Sequence, residues 1–278
     1  MESNNLKNEL VLRKVFNILD KKKSLDIVKY NKNLRKRINI NINDYKEYSE
    51  KYSSIEIEIK PVNKIFGNFI NLRKKDKKYV HTYFDRNEEE IKRNFTYENE
   101  EIKIIEIIID HQIETFEDLF YNCKSIESIY FKKFCRTNIN NMRYMCYGCS
   151  SLKELNLKNF NTNNVVDMAG MFNGCSLLKE LNINNFNTNN VIDMSFMFYE
   201  CPLLKELNLY NFNTSNVIDM SYLFYGCSSL KELYLNNFNI NNVANMDGMF
   251  YGCSKELIMK IKTKYKNIKE EAFVKLNK

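Results

Sequence analysis

At 278 residues, with 44% hydrophobic and 28% charged side chains, the chain has the composition of one or two globular domains. No run approaches the ~20 uninterrupted apolar residues of a membrane-spanning helix. Met1–Lys7 shows no charged stretch leading into an apolar core, so no signal peptide is visible; a cytoplasmic location with reduced thiols is expected. The net charge of +7 is uneven, because residues 1–50 hold twelve Lys/Arg against seven Asp/Glu. Runs such as Lys21–Lys23 and Arg35–Arg37 read as solvated helix faces rather than as a nucleic-acid surface.

In chain order, Leu6, Leu10, Val15, Ile18 and Leu19 predict a first helix. Ser24 can cap a second, carrying Leu25, Val28, Leu34 and Ile38, and Tyr45, Tyr48 and Tyr52 suit a short third. Ile55, Ile57 and Ile59 alternate as a strand ending at Pro61, and Tyr79–Phe84 is expected to pair with it. Residues 1–100 are thus expected to form an α+β region that seals one end of the remaining chain.

Residues 101–254 repeat. Cys123, Cys149, Cys175, Cys201, Cys227 and Cys253 stand 26 residues apart, as do Met142, Met168, Met194, Met220 and Met246. Such a period marks stacked units that bury jointly what one unit cannot bury alone. Within one unit, Leu155 and Leu157 alternate with Glu154, Asn156 and Lys158, which is strand periodicity, and Leu152 and Phe160 extend the inward face. Val165, Met168, Met171, Phe172 and Cys175 then recur every three to four residues, predicting a short helix. Asn164 suits its N-cap, Asp167 a capping-box variant and Gly174 a left-handed stop, whereas Asn122 and Glu200 break the glycine rule. A degenerate strand, Ile102–Ile109, precedes the repeats, followed by Ile113, Phe116, Leu119 and Phe120 at helical phases. Leu257, Ile261, Ile268 and Phe273 predict a capping helix over 255–278. The expected fold class is α/β: a right-handed leucine-rich-repeat solenoid of strand–short-helix coils, with an α+β N-terminal region and a C-terminal capping helix.

The phrase CSSLKELNLKNFNTNNVVDM (149–168), with MFYGCS (249–254) closing the last unit, resembles the BspA-like leucine-rich repeat family of surface proteins over about residues 100–254. The resemblance implies adhesion or protein binding without catalytic residues. Leu10–Ile38 also shows a faint similarity, in apolar spacing alone, to an F-box, which would imply a ubiquitin-ligase adaptor.

Only two histidines occur, His81 and His111, neither with a partner at metal-ligand or triad spacing. No phosphate loop or nucleophile elbow is present, so no enzyme, cofactor or metal is expected. Cysteines one coil apart lie within disulfide reach and include one C-x-x-C pair, Cys146 and Cys149, a weak zinc pattern. Their core phase favours buried thiols. The outward strand positions form columns on one face: Glu154, Glu180, Glu206 and Glu232; Asn156, Asn182, Asn208 and Tyr234; and Tyr210 in a third. These are the expected contacts for a protein partner of a non-catalytic scaffold, with an exported adhesion protein as the alternative. Tyr121, Tyr147, Tyr199, Tyr225 and Tyr251 form a second candidate column, interrupted by Asn173, with Phe196 and Tyr222 beside it.

Overall fold

A computed structural model describes residues 52–275 except His111 and Asn236, together with Asn31, Asn33, Leu34, Lys36, Asn43, Lys46 and Glu47. The chain divides into two units, Met1–Ser53 and Ser54–Lys278. In the first, the Leu34 N–H donates to Asn31 Oδ1 at 2.9 Å; the three expected helices and the F-box-like stretch fall almost wholly outside the described residues.

The second unit begins with β1 (Ile55–Pro61), β2 (Gly67–Asn68), β3 (Val80–Phe84), β4 (Phe95–Thr96) and β5 (Ile105–Ile109). Alternation sends Ile55, Ile57 and Ile59 inward and leaves Glu56 and Glu58 half-buried. β3 does not meet β1: β5 lies between them, antiparallel to both. β1 also pairs antiparallel with β6 (Ile126–Lys133), which pairs in parallel with β7 (Glu154–Asn156). One sheet of order β3-β5-β1-β6-β7 therefore joins the N-terminal strands to the first repeats. Further on, β8 (Glu206–Asn208) and β9 (Glu232–Tyr234) make a separate parallel pair.

The expected fold class is corrected here. Between Ile55 and Val274 the described residues form a single α-helix, α1 (Lys255–Lys264), and the rest is short strands and turns, so a stack of strand–helix coils is not what the repeats build. Where a helix was expected over 165–175, every second N–H leaves its own unit. Met168, Gly170, Phe172 and Gly174 donate to the carbonyls of Asp193, Ser195, Met197 and Tyr199 at 2.8–3.0 Å. The N–H groups between them, of Met171, Asn173 and Cys175, close i→i−3 turns onto Met168, Gly170 and Phe172. Three-residue turns satisfy the same apolar spacing that a helix would, which is why periodicity alone misassigned the segment.

What forbids the helix is backbone sign. Two positions per unit have positive φ: Asp118, Tyr144, Gly170, Phe196, Tyr222 and Gly248, and Asn122, Gly148, Gly174, Glu200, Gly226 and Gly252. Right-handed helix cannot run through them, and the non-glycine members carry a cost of order 1–3 kcal/mol each that the surrounding bonds must offset. The resulting turn ribbon is repeated at every unit, with Thr115, Asn141, Asp167, Asp193, Asp219 and Asn245 bridged in parallel.

The asparagine-rich phrase has a matching explanation. Asn164, Asn190, Asn216 and Asn242 donate from Nδ2 to carbonyls 27 residues earlier at 2.6–2.7 Å, so Asn164 is a rung between units and not a helix cap. Buried Thr162, Thr188 and Thr214 donate from Oγ1 to Asn187, Asn213 and Asn239 carbonyls at 2.8–2.9 Å. The cysteines act likewise: Cys149, Cys175, Cys201, Cys227 and Cys253 donate S–H to carbonyls 29 residues back at 3.0–3.2 Å. Four of these carbonyls, of Phe120, Cys146, Phe172 and Phe224, also accept a backbone N–H, so the thiols add a second bond there. All eight cysteines are free thiols.

Both ends of the stack are closed. Asn71 caps the first ribbon, its N–H donating to the Leu119 carbonyl at 2.7 Å and its Nδ2 to Tyr121 at 2.6 Å. Buried Arg136 donates to the Asp110 carbonyl at 2.6 Å and contacts that of Ile113; burial lowers its guanidinium to about 10. At the far end, Ser254 Oγ caps α1 by accepting from Leu257 N–H at 3.2 Å. α1 stops at Lys264, and the 3₁₀ turn Glu270–Phe273 takes the last ribbon bonds instead, from Gly248 to Glu271 and from Phe250 to Ala272. Phe273 also ends the buried column Phe172–Phe198–Phe224–Phe250, stacked at 5.5–5.7 Å.

Candidate interaction surface

The repeats present two faces. On the turn ribbon, each column acidic residue is folded onto its own backbone: Asp167, Asp193 and Asp219 accept through Oδ1 from the N–H two residues on, at 2.8–2.9 Å. Arg143 Nη1 spans Asp167 and Asp193, 3.1 Å from an oxygen of each. Asp167 thus sits in a charged ladder and not in the expected capping box. The tyrosines stack on one another, Tyr121 on Tyr147 and Tyr199 on Tyr225, both at 4.7 Å and within 10° of parallel. Their faces are consumed by neighbours and their edges point outward, so the column is mostly mutual cover. Burial and then the Glu200 charge raise the Tyr199 hydroxyl above its ordinary value.

Val166, Ile192 and Ile218 are surface residues that periodicity did not single out. They form an exposed aliphatic row on the ribbon, reaching 53% exposure at Ile218. The available signal was the doubled pair at 165–166, 191–192 and 217–218, since only one member of each can face the core.

On the strand face, Glu154, Glu180, Glu206 and Glu232 all point to solvent, as alternation required. Glu206 faces Glu232 directly across β8–β9, and Lys260 answers the second, 2.8 Å from its carboxylate. Asn156, Asn182 and Asn208 behave differently. Each turns its Oδ1 back to accept the N–H two residues on, at 3.0–3.2 Å, so this column is first a set of Asx turns. Tyr210 and Tyr234 are exposed, at 53% and 42%.

A groove of about 830 Å³ opens on this face. It gathers Glu154, Asn156, Glu180 and Asn182 with Tyr130, Leu177 and three lysines, Lys153, Lys158 and Lys179. Glu206, Asn208, Tyr210, Glu232 and Tyr234 lie outside it, on the β8–β9 side. Glu127, outside the groove, is held by Lys60 at 3.0 Å and by the groove's Lys153 at 3.1 Å, and the hydrogen bonds from those lysines lower its carboxyl.

Seven of the eight thiols, all but that of Cys135, are buried. Burial raises Cys201 and Cys253 to about 12, leaving almost no thiolate at neutral pH. Among the described residues no cluster of His, Cys, Asp or Glu could hold a metal ion, and no helix is long and apolar enough to cross a membrane.

A family described as "Mycoplasma protein of unknown function, DUF285" matches residues 114–208 and 178–270, together more than half of the chain. The chain belongs to this family. No curated protein and no solved structure matches it. The DUF285 match begins at Glu114, one residue before the first bridge of the turn ribbon at Thr115, and ends at Glu270, where the closing 3₁₀ turn starts. Family and bonded stack therefore share their limits.

Proposed function

We propose that this DUF285 chain is a non-catalytic protein–protein interaction scaffold that works inside the cell and takes a protein partner on its strand face. The observation that carries the reading is the row of solvent-facing glutamates beside an 830 Å³ groove, in which Glu154 and Glu180 have no ion pair among the described residues. Carboxylates repeated at strand spacing attract basic groups and steer encounter more than they add raw affinity. Replacing Glu180 and Glu206 by Lys tests it: partner capture from lysate should be lost while stability changes by less than ~1 kcal/mol. Undiminished capture would contradict the reading.

The likeness of the repeat phrase to BspA-like surface proteins favours a second reading, an adhesion protein acting outside the cell. Protease treatment of intact cells separates the two, since an internal scaffold is spared and a surface protein is degraded.

A further inference from the structure

The strand face lacks one set of rungs. β6 pairs with β7 and β8 with β9, and Lys153 and Lys231 donate their N–H groups one unit back at 2.8 and 2.9 Å. The unit between them does neither. Residues 180–182 form no strand, and among the described residues the N–H groups of Lys179, Glu180, Leu181 and Asn182 donate to no protein acceptor. The nearest bond on the other side, Lys205 N–H to the Lys179 carbonyl, is long at 3.4 Å.

The gap exposes little core: Leu155 and Leu181 beside it are each 9% exposed, against 0% for Ile129 and Leu207 at the same phase, and Leu233 in paired β9 is also partly exposed. It is bounded rather than torn. Ser176 Oγ donates to the Ser150 carbonyl at 3.1 Å at one end, and Asn185 Nδ2 spans the Leu157 and Phe160 carbonyls at 3.0 and 2.8 Å at the other. The ribbon bonds of the same two units are complete. Leu177, exposed at the groove, stands where Ser151 and Ser229 stand in their units and Leu203 in the next one.

We propose that this groove accepts a strand: an extended segment of a protein partner lies beside β7 and supplies the missing backbone hydrogen bonds. The inference rests on the reading of this face as a protein-binding surface. Free main-chain donors beside a regular strand edge are the physical basis of strand addition, in which backbone bonds give affinity and alternate side chains give selectivity. The walls specify the alternation. One side chain of the segment points inward to Leu155 and Leu177 and is apolar. Its neighbours point out beside Asn156, Asn182, Glu180 and Lys179 and are polar.

The probe is a synthetic peptide LLKELNLYNFN, the sequence of residues 203–213 that forms β8 in this chain. Its control is the same peptide N-methylated at its Glu and first following Leu, which removes backbone donors and keeps every side chain. Amide exchange of the full chain is followed with each. The unmodified peptide should slow exchange at 179–182 by about tenfold or more, and the methylated one should fail to do so. Equal action of both peptides, or none at any soluble concentration, would overturn the proposal. So would protection of 179–182 in the free protein equal to that of Met168 and Phe172. A Lys179→Pro chain, which loses one of the free donors at an exposed side chain, should lose the peptide while keeping its unfolding temperature. If a partner is lost on E206K but does not compete with the peptide, strand addition fails and the surface reading stands.

Discussion

The turn ribbon and the strand face come from the same 26-residue phrase, yet only the ribbon is bonded along its whole length. Each ribbon interface from Phe116 to Tyr251 carries four backbone bonds, reinforced by asparagine, threonine and cysteine rungs. The strand face is split, with one sheet ending at β7 and a second pair beginning at β8. The difference shows where a repeat stack stores its stability. The ribbon holds neighbouring units in register, so pairing between strands is free to lapse on the face that meets a partner.

Truncation on the two sides should therefore differ. Phe198, fully buried between Phe172 and Phe224, should cost about 3–5 kcal/mol as Phe198→Ala in denaturant unfolding. Leu181→Ala, at the open groove, should fall near ~2 kcal/mol; equal losses would break the comparison. Backbone sign comes next. Gly252 has φ +77°, and a Cβ there would lie 3.2 Å from the Cα and N of Gly226. Gly252→Val should cost about 3 kcal/mol by thermal melting, since a branched side chain meets both the left-handed penalty and rigid backbone. Thr188→Val should lose about 2 kcal/mol, because the buried Oγ1 donates to the Asn213 carbonyl, which is left without that donor.

The smallest effect is electrostatic. Glu127 is lowered in the fold by hydrogen bonds from Lys60 and then Lys153, so its contribution is present at neutral pH. It is lost as pH falls below the ordinary glutamate value of 4.5 through the lower folded one. Comparing acid unfolding of Glu127→Gln with the parent should reveal under about 1 kcal/mol, since Lys60 is largely exposed. A Gln variant with an unchanged acid limb would remove Glu127 from the account.

The burial phase was legible in residues, whereas the fold class was not. The inward phase of Leu155, Leu157, Phe160 and Cys175, the outward glutamates and the strand at Ile55–Pro61 all come from period-2 alternation or the fixed repeat. The ribbon was not, because Val165, Met168, Phe172 and Cys175 keep helical spacing while turning three residues at a time. The tell was Gly170 and Gly174, four apart, with Tyr, Phe, Asp, Asn or Glu replacing them in other units and hiding the shared φ. The pairing of β5 between β1 and β3 was also hidden, being a long-range choice among isoleucine-rich strands that alternation cannot rank. The groove at 179–182 depends on bonds not made between units, which no single repeat encodes.

Site-resolved hydrogen exchange on the free protein tests the central contrast most directly. The account predicts slow exchange at Met168, Gly170, Phe172 and Gly174, whose N–H groups cross to the next unit, and fast exchange at Lys179 through Asn182. Equal protection of the two segments would contradict it, and would mean that the strand face is as continuous as the ribbon.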